Sequence, residues 1–394
     1  MKILYHHRTA SKDGQAVHIE EMIAALRAQG HEVMVVAPAV NDAGDAGQMG
    51  DNVGWVHRLR SALPRVLYEL LELAYSLVAY RRLAQAAATF QPDVIYERYN
   101  LYLLAGVFLK RRLKIPLLLE VNAPLVFERS QHSGGLALPR LARWAEGMAW
   151  RSADYVLPVT QVLAGHVKAY GVPDARIAVI PNGINRAHFA VSPAPTFAKA
   201  QRGLVDKLVL GFTGFVREWH GVDRVIRWMA TSAAPGNVQL IIVGDGPVRA
   251  DLEALAQQLG LQERVTFTGV IHRHQVPDWV AAFDIALQPA VVPYASPLKL
   301  MEYLVLGKAI IAPRTPNLLE VLRDGENALL FDEAASAGLE QALSQLCTNE
   351  ALREKLGAGA YATIEKLDLT WDGNARRVVD LASRLIDKAA LQPA

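Results

Sequence analysis

Cysteine is nearly absent: Cys347 is the single one in 394 residues. No internal disulfide can form, so a reducing compartment, the cytoplasm, is expected. Long apolar runs are also missing. None reaches the roughly 18 uncharged apolar residues that a spanning helix needs. The first residues, Met1-Lys-Ile-Leu-Tyr5, run straight into His6, His7 and Arg8, which reads as a first strand and not as a signal peptide. A strong net charge is lacking too. The formal value of +2 argues against a nucleic-acid partner. No Asp-x-Asp pair offers itself to a cation, and no metal site is expected.

What is present fits a well-packed α/β protein, with 52% hydrophobic and 20% charged residues. The length favours two domains. The charge is uneven: residues 1–190 hold 21 Lys and Arg against 16 Asp and Glu, or +5, and the remainder holds 20 against 23, or −3. Ten basic and four acidic side chains fall in residues 53–114. This is either a solvated basic face or a face for an anionic partner, such as the inner membrane surface.

Along the chain, apolar strands alternate with amphipathic helices, which implies parallel sheets with right-handed crossovers. Strands are expected at 2–5, 31–37, 93–96, 116–120, 155–159 and 177–180, with helices between them at 16–29, 101–113, 138–151 and 161–170. Residues 38–54 read as a loop. Residues 64–88 read as a long helix, either buried through Val66, Leu67, Leu70, Leu71, Leu73, Ala74, Leu77 and Val78, or lying on a membrane with Arg81 and Arg82 at its rim; burial is the reading adopted. Residues 191–203 read as a linker. The pattern then restarts, with strands at 207–212, 238–243, 265–269, 284–288, 309–312 and 328–331. The fold expected is therefore two doubly wound domains, 1–190 and 204–370, with a final helix after residue 370.

In an open parallel sheet, ligands gather beyond the carboxyl ends of the strands. Glu97, Arg98, Glu120 and Asn122 stand at such ends, and Gly14 lies in the first loop. The stretch from Tyr294 to Ala312 reads as loop, helix, glycine stop and strand. Ser296 suits the N-cap and Pro297 the first helical position. Such a start would leave the N–H groups of Leu298, Lys299 and Leu300 free beside the Lys299 charge, as a phosphate site requires. Lys299 and Glu302 share a helix face. The same pattern also suits an ordinary capped helix.

Several motifs in order resemble glycosyltransferase family 4. They are Asp13-Gly-Gln-Ala-Val-His18, Gly30-His-Glu-Val, Ile180-Pro-Asn-Gly-Ile, Gly214-Phe-Val-Arg-Glu-Trp-His-Gly, Val243-Gly-Asp-Gly-Pro, Phe267-Thr-Gly, and Ser296-Pro-Leu-Lys-Leu-Met-Glu-Tyr-Leu-Val-Leu-Gly-Lys. The resemblance implies a GT-B fold of two Rossmann-like domains, with the C-terminal helix 371–394 returning to the first. It implies a retaining enzyme that moves a sugar from a nucleoside diphosphate sugar, UDP-sugar before GDP-sugar, without an obligatory metal or other cofactor.

It also implies roles. Lys299, Arg217 and His220 would neutralise the diphosphate, and Glu302 would bind the ribose. Gly214, Gly244, Gly246 and the 296–298 backbone would approach the donor. His272 would lie near the base. Asn122 would stand near the reactive sugar carbon. His18, Glu97, Arg98 and Glu120 are acceptor-side candidates. The acceptor would be a glycan, a lipid-linked sugar or a small molecule of secondary metabolism. One departure stands out. The family often has a glutamate eight positions before Glu302, and this chain has Tyr294, which leaves the sugar open. A GT-B epimerase and a non-catalytic nucleotide-sugar-binding subunit are the rival readings.

Overall fold

The structure is a computed structural model, and it describes residues 1–9, 14–38, 63–132 and 135–391. The loop expected at 38–54 lies, except for Pro38, outside these residues. The chain forms two compact units. The first comprises Met1–Pro181, Tyr294–Ser296 and Trp371–Ala394, and the second comprises Asn182–Pro293 and Pro297–Thr370.

In the first unit a five-stranded sheet runs β2-β1-β3-β4-β5, all parallel. Its strands are β1 (Lys2–His6), β2 (Glu32–Val36), β3 (Val94–Arg98), β4 (Leu117–Val121) and β5 (Tyr155–Pro158). β3 and β4 are buried along their whole length, as strands covered on both faces must be. Tyr5 and Tyr96 stack across β1 and β3 with ring centroids 4.9 Å apart. The strand expected at 177–180 does not form. Ile177 makes one isolated bridge to Val156 instead.

The second unit carries a six-stranded parallel sheet in the order β11-β10-β9-β6-β7-β8. Its strands are β6 (Leu208–Thr213), β7 (Val238–Val243), β8 (Val265–Phe267), β9 (Ile285–Leu287), β10 (Ala309–Pro313) and β11 (Leu329–Phe331). Two apolar clusters cover its two faces. One contains Leu210, Phe212, Val225 and Leu240, the other Val209, Ile241, Leu304 and Ile310. Adjacent residues of one strand divide between them, as a period of two requires. Residues 191–203 are not all linker, because Pro195–Ala200 is helical. Two helices not foreseen, Gly338–Thr348 and Glu350–Lys366, complete the unit.

The Arg65–Phe90 helix forms as expected, but with its faces reversed. Glu69, Glu72, Ser76, Ala79 and Leu83 point inward, while Val66, Leu67, Leu70, Leu71, Leu77 and Val78 are exposed. Ala74 is exposed as well, and of the apolar side chains expected to be buried only Leu73 is partly covered, packed near Leu101 and Tyr102. The reason lies in the partners of the inward face. Glu69 accepts hydrogen bonds from the Tyr102 hydroxyl at 2.7 Å and from the N–H groups of Ala137 and Leu138 at 2.6 and 2.9 Å. Glu72 accepts from Arg129 at 2.7 Å. Ser76 donates to the Tyr102 carbonyl and accepts from the Leu104 N–H. Buried donors that need acceptors decide which face turns in.

Candidate functional site

In the second unit, chemistry gathers where β6 ends and the Leu298–Val305 helix begins. This helix is N-capped by Pro297, not by Ser296, and no side chain caps it. The Pro297 ring holds φ at −69° with extended ψ, which is the half-in geometry of a cap. The N–H of Leu300 is also not free, because it donates to the Pro297 carbonyl at 3.2 Å. Gly307 follows the helix at φ +59°, in the left-handed position that suits glycine.

Lys299 leans over the Phe212 ring, with Nζ 3.7 Å from its centroid. Burial pushes its ammonium down to about 7, against the opposing pull of Glu302. Burial likewise pushes the Glu302 carboxyl up to about 7, although Thr213, Lys299 and Arg273 each favour its charged form. The Thr213 hydroxyl donates to Glu302 Oε2 at 3.2 Å, and the Thr213 N–H donates to the Tyr303 hydroxyl at 2.9 Å. Two oppositely charged groups are thus held in a place that makes both charges costly. An arriving anion would favour the Lys299 charge.

Arg217 and His220 lie on the loop after β6. The Arg217 guanidinium lies over the rings of Phe215 and Trp219, 4.8 and 4.9 Å from their centroids. The His220 ring sits 5.3 Å from that of Phe212, so Phe212 lies beside both Lys299 and His220. Burial, then the charges of Lys299 and Arg217, push His220 down to about 2. The ring is therefore neutral. Its Nδ1 accepts the Arg217 N–H at 3.1 Å, which leaves the proton on Nε2. His220 is a neutral hydrogen-bond donor held by its own loop.

The glycines explain how that loop keeps its shape. A Cβ on Gly244 would stand 2.2 Å from the Gly214 carbonyl oxygen, and one on Gly246 would stand 1.9 Å from that of Val216. Gly244 also holds φ at +133° and Gly214 at +116°. The backbone closely approached by Gly244 and Gly246 is therefore that of the Arg217 loop. His272 is exposed and stacked on His274, with centroids 5.6 Å apart. Phe212, Thr213 and Tyr303 are not marked as site residues by any motif in the sequence. Their signal was a strand end and a tyrosine directly after Glu302, which is too common to weigh.

In the first unit the carboxyl ends of β1, β3 and β4 hold a second polar group. Glu120 is buried and receives the Tyr96 hydroxyl at 2.7 Å, the Arg98 guanidinium, and the Asn122 amide at 2.5 Å, with His18 Nε2 at 3.0 Å. Burial alone would raise its carboxyl. His18 and Arg98, helped by Tyr96, instead hold it well below the usual carboxylate range. Glu97 receives the Gly106 N–H at 3.0 Å and faces His6 Nδ1 at 2.5 Å. Its Oε1 is buried with no hydrogen-bond partner. His18, Arg98 and Glu120 are thus buried beside one another, and Glu97, next to Arg98 on β3 and so on the other face of the sheet, is buried with His6, whereas Asn122 is half-buried above Glu120.

Gly14 opens the Gly14–Ala28 helix and is exposed. Tyr294 groups with this first unit. It is buried, and its hydroxyl donates to Glu128 Oε2 at 2.9 Å. The Thr160 hydroxyl donates to the Tyr294 carbonyl at 3.0 Å. Burial and Glu128 push the phenol well above its ordinary value.

Residues 13–183 match the model of the glycosyl transferase 4-like domain, and residues 196–363 match that of glycosyl transferases group 1. The chain is 26% identical to a D-inositol 3-phosphate glycosyltransferase of Arthrobacter sp. (strain FB24), over 88% of this chain and 85% of that one. It is also 26% identical to the 2-deoxystreptamine N-acetyl-D-glucosaminyltransferase of Streptomyces fradiae, with the same two shares. Among solved structures, sucrose-phosphate synthase from Thermosynechococcus elongatus superposes with a TM-score of 0.77 at 18% identity, covering 98% of this chain and all of the other. The HepE protein of Anabaena in complex with UDP-glucose gives 0.75 at 19%, with the same coverage. With two consecutive parallel-sheet units and both domain models matched in order, the chain belongs to the GT-B glycosyltransferases that join a 4-like domain to a group 1 domain, and it is a transferase enzyme.

Proposed function

We propose that this glycosyltransferase moves a sugar from a nucleoside diphosphate sugar to a hydroxyl acceptor, with retention of anomeric configuration. The observation that carries the reading is the assembly at the end of β6. Lys299 sits there with a depressed pKa beside Glu302, and Arg217 and a neutral His220 occupy the adjoining loop. Each has a task. Lys299 and Arg217 offset the diphosphate charge as the nucleotide departs, and His220 donates Nε2–H to a phosphoryl oxygen. Glu302 takes the ribose hydroxyls. These cations do the work that a metal would otherwise do, so turnover needs no added divalent ion. The leaving phosphate accepts the acceptor's proton on the face it vacates, and no protein nucleophile is required.

UDP is the favoured nucleotide and GDP the next. The naming of a UDP-glucose complex among the structural neighbours supports that order. In the first unit, the Asn122 amide N–H is engaged by Glu120, which leaves its Oδ1 as an acceptor for a sugar or acceptor hydroxyl. The relatives named above are transferases of D-inositol 3-phosphate and of 2-deoxystreptamine, which supports a polyhydroxylated acceptor.

The test is a thermal-shift screen of UDP, GDP, ADP and dTDP, followed by turnover with the matching sugar donors. A ligand that binds only the native state stabilises it by mass action, so one base should stand out. The absence of any shift, hydrolysis or transfer with all four would reject the donor assignment. An inverted linkage by NMR would reject retention.

A further inference from the structure

We propose that the outward face of the Arg65–Phe90 helix is a docking surface for an anionic lipid bilayer. The helix lays down one apolar stripe through Val66, Leu67, Leu70, Leu71, Ala74, Leu77 and Val78, at helical spacing. Its six large members are 43–59% exposed. At 1.5 Å per residue the stripe is about 20 Å long. Single exposed leucines need no explanation, but six on one face of one helix do.

The charges beside the stripe select the partner. Both acidic residues of this helix, Glu69 and Glu72, are turned inward and hydrogen-bonded. The stripe runs on into Arg81 and Arg82, both exposed. The Ala105–Leu113 helix packs alongside, joined through Arg112 to the Tyr80 hydroxyl at 3.1 Å. It ends in exposed Arg111, Arg112, Leu113 and Lys114. An apolar stripe flanked by cations, with the acidic groups turned away, is the make-up of a helix that lies in the headgroup region of a charged membrane. No helix among the described residues is long and apolar enough to cross one, so the contact is peripheral. This surface belongs to the first unit and the donor residues to the second, and its occupation needs no nucleotide.

The experiment is co-sedimentation of the full chain with vesicles of phosphatidylcholine alone and of phosphatidylcholine with phosphatidylglycerol, at low and high salt. Binding is expected to the anionic vesicles and to weaken with salt. The variant L70Q/L71Q/L77Q should lose at least tenfold in partition while keeping its melting temperature, because the stripe faces outward. R81Q/R82Q should lose about fivefold per charge, on anionic vesicles only.

Three results would overturn the proposal. One is a wild-type chain that does not sediment with anionic vesicles. Another is a triple variant that binds as well as wild type. The third is a triple variant that melts earlier, since the stripe would then be covered by protein. Light scattering separates a remaining case: if the wild type is a dimer that the triple variant splits, and vesicles are not bound, the stripe belongs to a second copy of the chain.

Discussion

Lys299 carries its charge in a place that disfavours it, and two predictions follow from that. The folded value of about 7 lies below the ordinary 10.5. Between these values the folded state binds fewer protons than the unfolded chain. The stability penalty is therefore complete below pH 7 and fades as pH rises towards 10.5. Lys299→Met should stabilise the fold at pH 6 by an amount on the order of 1–2 kcal/mol once screening by water is allowed for, seen as a higher melting temperature. The gain should vanish near pH 10. The same variant should lose about a hundredfold or more in turnover. UDP binding should draw a proton onto Lys299 above pH 7, seen calorimetrically as uptake that varies with the buffer's ionisation enthalpy. If uptake persists in Lys299→Met, another group is responsible. Glu120 behaves differently, because its partners Arg98 and His18 are buried with it. Glu120→Gln leaves the Arg98 charge without its counter-charge and should cost about 3–5 kcal/mol in chemical denaturation. Lys299 and Glu302 were legible as a pair from helical spacing alone. The pairing of Glu120 with His18 was not, since 102 positions separate them and only the sheet brings them together.

At the scale of single elements, the Arg65–Phe90 helix shows where periodicity stops being informative. Spacing identifies the helix and both of its faces, but it does not say which face turns inward. The usual rule, apolar side inward, fails here because Tyr102 and the N–H groups of Ala137 and Leu138 need an acceptor that Glu69 supplies. Glu69→Leu should therefore destabilise by about 2–4 kcal/mol in urea titration, by orphaning these donors, despite adding an apolar residue. Leu70→Glu should be nearly neutral. The opposite ranking would mean that the helix is turned the other way. The loop after β6 makes a related point. Gly246→Ala places a methyl where the Val216 carbonyl now lies, so the loop must move. The expected result is intact secondary structure by circular dichroism, with nucleotide affinity reduced about tenfold as Arg217 and His220 lose their places.

At the scale of the whole molecule, the chain's last helix returns to the first unit. Trp371 packs against His18 with centroids 4.8 Å apart. Asn374, fully buried, donates to the Pro181 carbonyl at 2.6 Å, and Gln29 donates to the Asp372 carbonyl at 2.8 Å. Truncation after residue 370 should accordingly loosen the first unit. Hydrogen exchange should rise in the Gly14–Ala28 helix and in β1 and β2, and leave β6 to β10 protected. Faster exchange confined to the second unit would contradict this placement.

The sequence by itself determined the alternation of strands and helices, the parallel sheets, the restart after residue 204, and the pairing of Lys299 with Glu302 on one helix face. All of these rest on spacing within a dozen residues, where the chain's own geometry leaves few choices. Only the tertiary structure decided that Pro297 caps that helix and that His220 stands neutral with its proton on Nε2. Only it decided that Gly244 and Gly246 make room for backbone of the Arg217 loop, and that Glu120 is buried with His18, Arg98 and Tyr96 while Glu97 is buried with His6. It also turned six apolar side chains of one helix towards the outside. These outcomes depend on which distant groups meet, and on the need of buried donors and charges for partners, and neither is written in local spacing.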